Sequence, residues 1–171
     1  SYSVTGVQTC ALPIFDPDYI IIESKAPLMY KYWEYANFLK SKTKAKIIFI
    51  GDHVTFYPEE SLEKSNIDYV VTGGDYDFTI TQLVEHLNGN GDMPKGVYYR
   101  NGNTGKAILN DLSNPPLIDR ELTHFNLYGE AYLYKPCAYI LSGRGCGSIS
   151  GKKLVCTFCI WQHSFWQCTS R

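Results

Sequence analysis

Imbalance of charge is the first thing missing from this sequence. Lys and Arg number 16, Asp and Glu 17, for a formal net charge of −1 over 171 residues. That leaves no electrostatic case for nucleic acid or an acidic membrane surface as a partner. No run approaches the roughly 20 apolar residues that cross a bilayer. A charged leader with a long apolar stretch behind it is also lacking. There is no internal repeat and no low-complexity tract. Cysteine is absent between Cys10 and Cys137, which rules out a disulfide framework spread through a small secreted fold. With 44% hydrophobic and 19% charged residues, the expectation is an ordinary globular protein of the cytoplasm. Its length allows one domain, or one domain with part of another. The 14 tyrosines suggest packing surfaces and select no function.

What is present begins with alternating strand and helix signals. Residues 3–14, SVTGVQTCALPI, resemble a translated sequencing adapter, so residues 1–14 and Cys10 are set apart. Tyr19–Ile22 is a β-branched run suited to a strand buried on both faces. From Leu28 to Lys40, Leu28, Tyr32, Tyr35 and Leu39 recur at helical spacing. Lys46–Ile50 reads as a second strand, ending in the turn Gly51–Thr55. Pro58 opens a short helix with Glu59 and Glu60 at its positive end. Asp68–Val71 is a third strand closed by Thr72-Gly-Gly74, and Asp77–Leu87 a helix with Ile80, Leu83, Val84 and Leu87 on one face. Asp75 and Asp77 suit helix capping better than paired acid–base work.

This β-α-β-α-β-α order predicts a Rossmann-like α/β fold, a parallel sheet with helices on both faces. Ligands in such sheets bind beyond the carboxyl ends of the strands, which here are Glu23-Ser24, Gly51–Thr55 and Gly73–Asp75. Glycines at those ends would let a large ligand approach the backbone. The predicted organisation is an α/β domain over 15–90, a linker over 91–136 and a further domain beginning at 137. In the linker, residues 96–100 and 106–109 read as a β-hairpin. Residues 111–117 carry two prolines and are linker-like, and 119–125 suit a short helix.

The remaining cysteines, Cys137, Cys146, Cys156, Cys159 and Cys168, crowd the C-terminal end. Cys146 follows an apolar run and the glycine-rich turn Ser142-Gly-Arg-Gly, and Cys156-Thr-Phe-Cys159 comes nine residues later. Thiolates on one loop suit an iron–sulfur cluster or zinc. A four-thiolate zinc site could use Cys146, Cys156, Cys159 and Cys168, with His163 in reserve. The turn around Gly143 lacks the following helix that a phosphate loop needs. Trp161, Phe165 and Trp166 suit either core packing or a channel wall. His53 could contact a cofactor or simply bond backbone.

Taken in order, these pieces resemble the cobalamin-binding radical S-adenosylmethionine (radical SAM) enzymes over residues 16–171. Gly51-Asp-His-Val-Thr with Pro58-Glu-Glu is similar to that family's glycine-histidine turn after a central strand. Residues 68–78 resemble its next strand and acidic turn. Gly96-Val-Tyr-Tyr-Arg, Pro116-Leu-Ile-Asp-Arg120 and Ser142-Gly-Arg-Gly-Cys…Cys-Thr-Phe-Cys resemble its linker and cluster loop.

The resemblance implies that Cys146, Cys156 and Cys159 ligate a four-iron four-sulfur cluster that binds and reductively cleaves S-adenosylmethionine. Phe158 would sit beside the adenine. Ser24, Gly51, His53, Thr55, Gly73 and Gly74 would line a cobalamin cleft, with methylation as one outcome. The substrate would be a small molecule, and the electron donor a flavodoxin or ferredoxin. The catalytic barrel, of which residues 137–171 would supply the first strand and cluster loop, would continue in a longer parent protein that carries the turnover. Two features depart from the family pattern. Nine residues rather than the usual three separate Cys146 from Cys156, and no Asp-x-His-x-x-Gly motif is present. The contrasting expectation is a non-catalytic α/β binding module with a C-terminal zinc site.

Overall fold

The computed structural model describes residues 16–110, 118–122, 124–127, 129 and 132–137, with the backbone of two short strands at 143–144 and 169–170. Strand β1 (Tyr19–Glu23) leads through a 3-10 turn (Ala26–Leu28) into helix α1 (Met29–Lys40). Strand β2 (Lys46–Ile50) is followed by two short helices, α2 (Asp52–Phe56) and α3 (Pro58–Lys64). Strand β3 (Tyr69–Val71), helix α4 (Tyr76–Leu87), and strands β4 (Val97–Tyr99) and β5 (Gly102–Asn103) complete one open five-stranded sheet in the order β1-β2-β3-β4-β5. A separate antiparallel pair joins β6 (Gly143–Arg144) to β7 (Thr169–Ser170).

The first three strands run parallel, with Tyr19 beside Lys46 and Ile48 beside Tyr69. Because β1, β2 and β3 are neighbours in chain order, right-handed crossovers place α1, α2 and α3 on one face. Their apolar sides meet the sheet there, in a core of Met29, Ala36, Leu39, Ile47, Phe49, Val54, Leu62, Ile67 and Val70. Alternate residues of the same strands, Ile48 and Val71, point the other way and pack on Leu83 of α4 and Val97. Helices therefore cover both faces, as expected for an α/β architecture. A fully buried side chain of this size contributes roughly 1.5–3 kcal/mol, so Ile47, Ile48 and Phe49, each 0% exposed, make β2 the centre of the fold.

Several expectations need correction. The sheet is mixed rather than parallel, because β4 returns antiparallel to β3 with Tyr69 opposite Tyr99. The hairpin exists but is tighter than predicted. Its second strand is Gly102–Asn103, paired with Tyr98 and Tyr99, rather than residues 106–109. Expected inside a linker, it is instead hydrogen-bonded onto the main sheet.

Strand β1 is an edge strand among the described residues, and Ile21 is 44% exposed rather than buried. Leu28 also stays exposed, since it belongs to the 3-10 turn; α1 buries Met29, Ala36 and Leu39 instead. The short helix expected at 119–125 is a 3-10 turn at Phe125–Leu127. Residues 1–15 and 111–117, and most of 138–171, including the expected first barrel strand, lie outside the described residues.

Candidate functional site

The site is built from the three turns that close β1, β2 and β3. After β1, Ser24 is fully buried, and both its N–H (2.8 Å) and its hydroxyl (3.0 Å) donate to the Ile50 carbonyl at the end of β2. The next residue, Gly51, has φ +120°, and a Cβ there would lie 2.4 Å from the Ser24 carbonyl oxygen. Gly51 is thus glycine because a neighbouring strand end occupies that space. The turn it makes is one residue long, and Asp52–Phe56 continues as helix α2 rather than as a loop.

Thr55 on α2 ties the other ends together. Its hydroxyl donates to the Gly51 carbonyl (2.9 Å) and receives the Gly73 N–H (3.2 Å). It also lies 3.2 Å from the Tyr76 hydroxyl. A hydroxyl carries one hydrogen and two lone pairs. With that hydrogen spent on Gly51, Tyr76 must be the donor. Burial pushes the Tyr76 phenol above its ordinary value, so it keeps the proton it donates. Ser24, Gly51, Thr55 and Gly73 therefore converge in one hydrogen-bonded rim.

The remaining two rim residues stand apart from this chain of bonds. His53 faces away from it, with Nε2 2.9 Å from a Glu60 oxygen and its ring 5.7 Å from that of Tyr57. Its partner is a carboxylate rather than backbone. The Lys64 ammonium, 2.6 Å from the other Glu60 oxygen, and then His53 hold the Glu60 carboxyl below the usual range. Gly74 is half-buried beside Gly73.

A cleft of about 460 Å³ opens beside this rim, at the carboxyl ends of β2 and β3. Thr55, Phe56, Thr72, Gly73, Tyr98, Lys106 and Ala107 line it. Another cleft, of about 450 Å³, lies at the opposite end of β1 and β2 near Asp18 and Lys46. Only the first lies where open α/β sheets hold ligands.

Of the residues lining this cleft, Thr55 and Gly73 are among those expected at a cofactor site, whereas Phe56, Thr72, Tyr98, Lys106 and Ala107 are not. The signal for Tyr98 was its place in an aromatic strand; Lys106 and Ala107 carried none. Asp75 behaves differently from a helix cap. It is 3% exposed, makes no capping bond to α4, and one of its oxygens accepts from both the N–H (2.6 Å) and the side-chain amide (3.1 Å) of Asn110.

Among the described residues, no group of three His, Cys, Asp or Glu side chains could hold a metal ion. Cys137 is a half-buried free thiol. Cys146, Cys156, Cys159 and Phe158 lie outside the described residues, as do Cys10, Cys168, His163, Trp161, Phe165 and Trp166. No described helix is long and apolar enough to cross a membrane.

No known family profile matches the chain. It is 24% identical over 154 residues, 85% of its length, to an uncharacterized methyltransferase of Pyrococcus horikoshii, and spans 32% of that relative. Among solved structures it resembles the radical S-adenosylmethionine methyltransferase TsrM of Kitasatospora setae, with cobalamin and a [4Fe-4S] cluster bound. There the TM-score is 0.48 and the identity 15%, over 63% of this chain and 22% of that one. At that level the likeness assigns neither fold nor chemistry.

Proposed function

We propose that this chain is the cofactor-holding part of a cobalamin-dependent radical SAM methyltransferase. The observation that carries the reading is the rim at the carboxyl ends of the three parallel strands. Of the six residues expected to line a cobalamin cleft, Gly51, Thr55 and Gly73 are bonded together there, Ser24 bonds the Ile50 carbonyl beside them, and Thr55 and Gly73 line an open cleft. The similarity to an uncharacterized methyltransferase over 85% of the chain supports the methyltransferase part of the reading.

The residues present fit one side of a large amphipathic cofactor. Phe56 and Tyr98 offer aromatic surface, Lys106 a cation, and Gly73 a backbone without a side chain. The work of the rim is to hold shape. Thr55 spends its whole hydrogen-bonding capacity on Gly51, Gly73 and Tyr76. Ser24 and Gly51 lock two strand ends into contact. A preorganised wall of this kind reduces the ordering cost of binding. Bound cobalamin would supply a transferable methyl group, and a four-iron four-sulfur cluster on Cys146, Cys156 and Cys159 the means of cleaving S-adenosylmethionine. The protein's part is to position both and exclude competing reactions. An external reductant and a small-molecule substrate complete the proposal.

Two titrations of the purified chain test it. Hydroxocobalamin should bind with a shifted visible spectrum, and binding should weaken in Gly73→Val. Anaerobic reconstitution with iron and sulfide should give a broad visible absorbance that S-adenosylmethionine perturbs. Stoichiometric zinc with no iron uptake, and no cobalamin binding, would favour a structural zinc module and overturn the reading.

A further inference from the structure

The buried carboxylate of Asp75 has a partner 35 residues away, and the segment between β5 and that partner follows a defined course. At its start, Thr104 N–H donates to the Val97 carbonyl (2.9 Å), and Val97 N–H donates to the Thr104 hydroxyl (2.9 Å). Next, the Gly105 carbonyl accepts from Gly96 N–H (3.0 Å). In the middle, Ala107 is buried against Gly96. A Cβ on Gly96 would lie 2.4 Å from that of Ala107, and Gly96 has φ +86°. Gly96 is itself held from the other side, its carbonyl accepting from both the N–H and the hydroxyl of Thr72 (2.9 Å each). At the far end, Asn110 delivers two donors to one Asp75 oxygen, at 2.6 and 3.1 Å. Lys106 and Ala107, between these fastenings, line the 460 Å³ cleft together with Thr55 and Phe56.

We propose that residues 104–110 form a strap walling the cleft and that Asp75 is the positioning residue that latches it. A carboxylate 3% exposed is costly unless its hydrogen bonds are made. Placing it opposite Asn110 therefore fixes where the chain leaves the sheet on its way to the cysteine-bearing segment. Asp75 follows Gly73, which lines the cleft, by two residues, so the latch and part of the cleft lining share one turn. The strap's effect on cofactor affinity rests on the cobalamin reading; the latch itself does not.

Amide hydrogen exchange on the full chain decides the latch without any ligand. In Asn110→Ala and Asp75→Asn, exchange across 104–110 should quicken about tenfold, the scale of losing a hydrogen bond to a charged acceptor. Amides of 47–50 and 69–71 should keep their wild-type rates. Asn110→Ala removes the 3.1 Å side-chain bond but keeps the 2.6 Å backbone N–H bond to the carboxylate, and should show the smaller effect of the two. Unchanged exchange in the strap would overturn the proposal, and so would an equal rise throughout the sheet, which would mark a merely structural carboxylate. Asn110 lies beyond β5, the last strand of the five-stranded sheet, so its variant reports even if Asp75→Asn fails to fold. Hydroxocobalamin should then bind several-fold more weakly to Asn110→Ala than to wild type. A wild-type chain that binds none sinks the cofactor reading and leaves the exchange data to judge the latch.

Discussion

Two residues at the rim show how type and neighbourhood divide the explanation. Gly51 combines φ +120° with a Ser24 carbonyl 2.4 Å from where its Cβ would be. Gly91 has φ +75° but open space around it. A positive φ costs an ordinary residue roughly 1–3 kcal/mol. Gly51→Ala should therefore destabilise by about 3 kcal/mol or more, the clash adding to the strain, and Gly91→Ala by about 1. Urea unfolding of both variants measures the contrast, and equal costs would mean the close approach to Ser24 is not real.

Glu60 supplies a pH-dependent test at the same scale. Lys64, then His53, depress its carboxyl, so the stabilisation it gives is complete above the ordinary unfolded value of about 4.3. It is lost as pH falls through the lower folded value. Unfolding curves of wild type and Glu60→Gln should thus differ at neutral pH and converge in acid. A glycine turn at 51 and a histidine two residues later were visible in the sequence. That Thr55 is saturated and His53 turned toward Glu60 was not. Their partners Gly73, Tyr76 and Glu60 come from later turns and helices whose placement no local pattern encodes.

At the scale of elements, the positions of α1, β2 and β3 meet at a single carboxylate. Asp68, just before β3, accepts the Ile47 N–H (2.9 Å), lies 2.6 Å from the Lys40 ammonium at the end of α1, and 3.4 Å from that of Lys46. It is 17% exposed, so these bonds are partly shielded from water. Asp68→Ala should lower unfolding free energy by about 1.5–3 kcal/mol, the range for hydrogen bonds to a charged group. The urea slope should stay unchanged, since the same surface is exposed on unfolding. Asp68→Asn keeps an acceptor for Ile47 and should cost less; parity between the two would show that the lysines dominate.

The strands and helices themselves were largely legible, because β-branched runs such as 46–50 and the apolar spacing of α4 are local properties. Direction and neighbours were not. The sequence between β3 and β4 is long enough for a parallel crossover. What makes β4 antiparallel is a set of distant bonds, Thr72 to Gly96 among them. Exposure of Ile21 is likewise a matter of sheet position, which three isoleucines in a row cannot reveal.

At the scale of the whole molecule, the two core clusters found among the described residues draw on Met29 to Val97, whereas the cysteines of the expected cluster loop begin at Cys146. Folding of the sheet and ligation of iron should therefore be separable. Cys156→Ala and Cys159→Ala should each lose most of the iron that the wild-type chain takes up under anaerobic reconstitution. Their unfolding free energy should stay within about 0.5 kcal/mol of wild type if ligation and folding of the sheet are separate. Cys137→Ala is the control, since that thiol is free and half-buried and falls outside the expected ligand set; its iron content should match wild type. Hydroxocobalamin affinity should be unchanged in all three, because the cleft is lined by residues 55–107. Iron measured per chain decides the assignment: if Cys156→Ala retains as much as Cys137→Ala, the thiolates of the 146–159 loop are not the ligands, and the radical SAM half of the proposal fails while the sheet's role as a cofactor platform is judged on cobalamin binding alone.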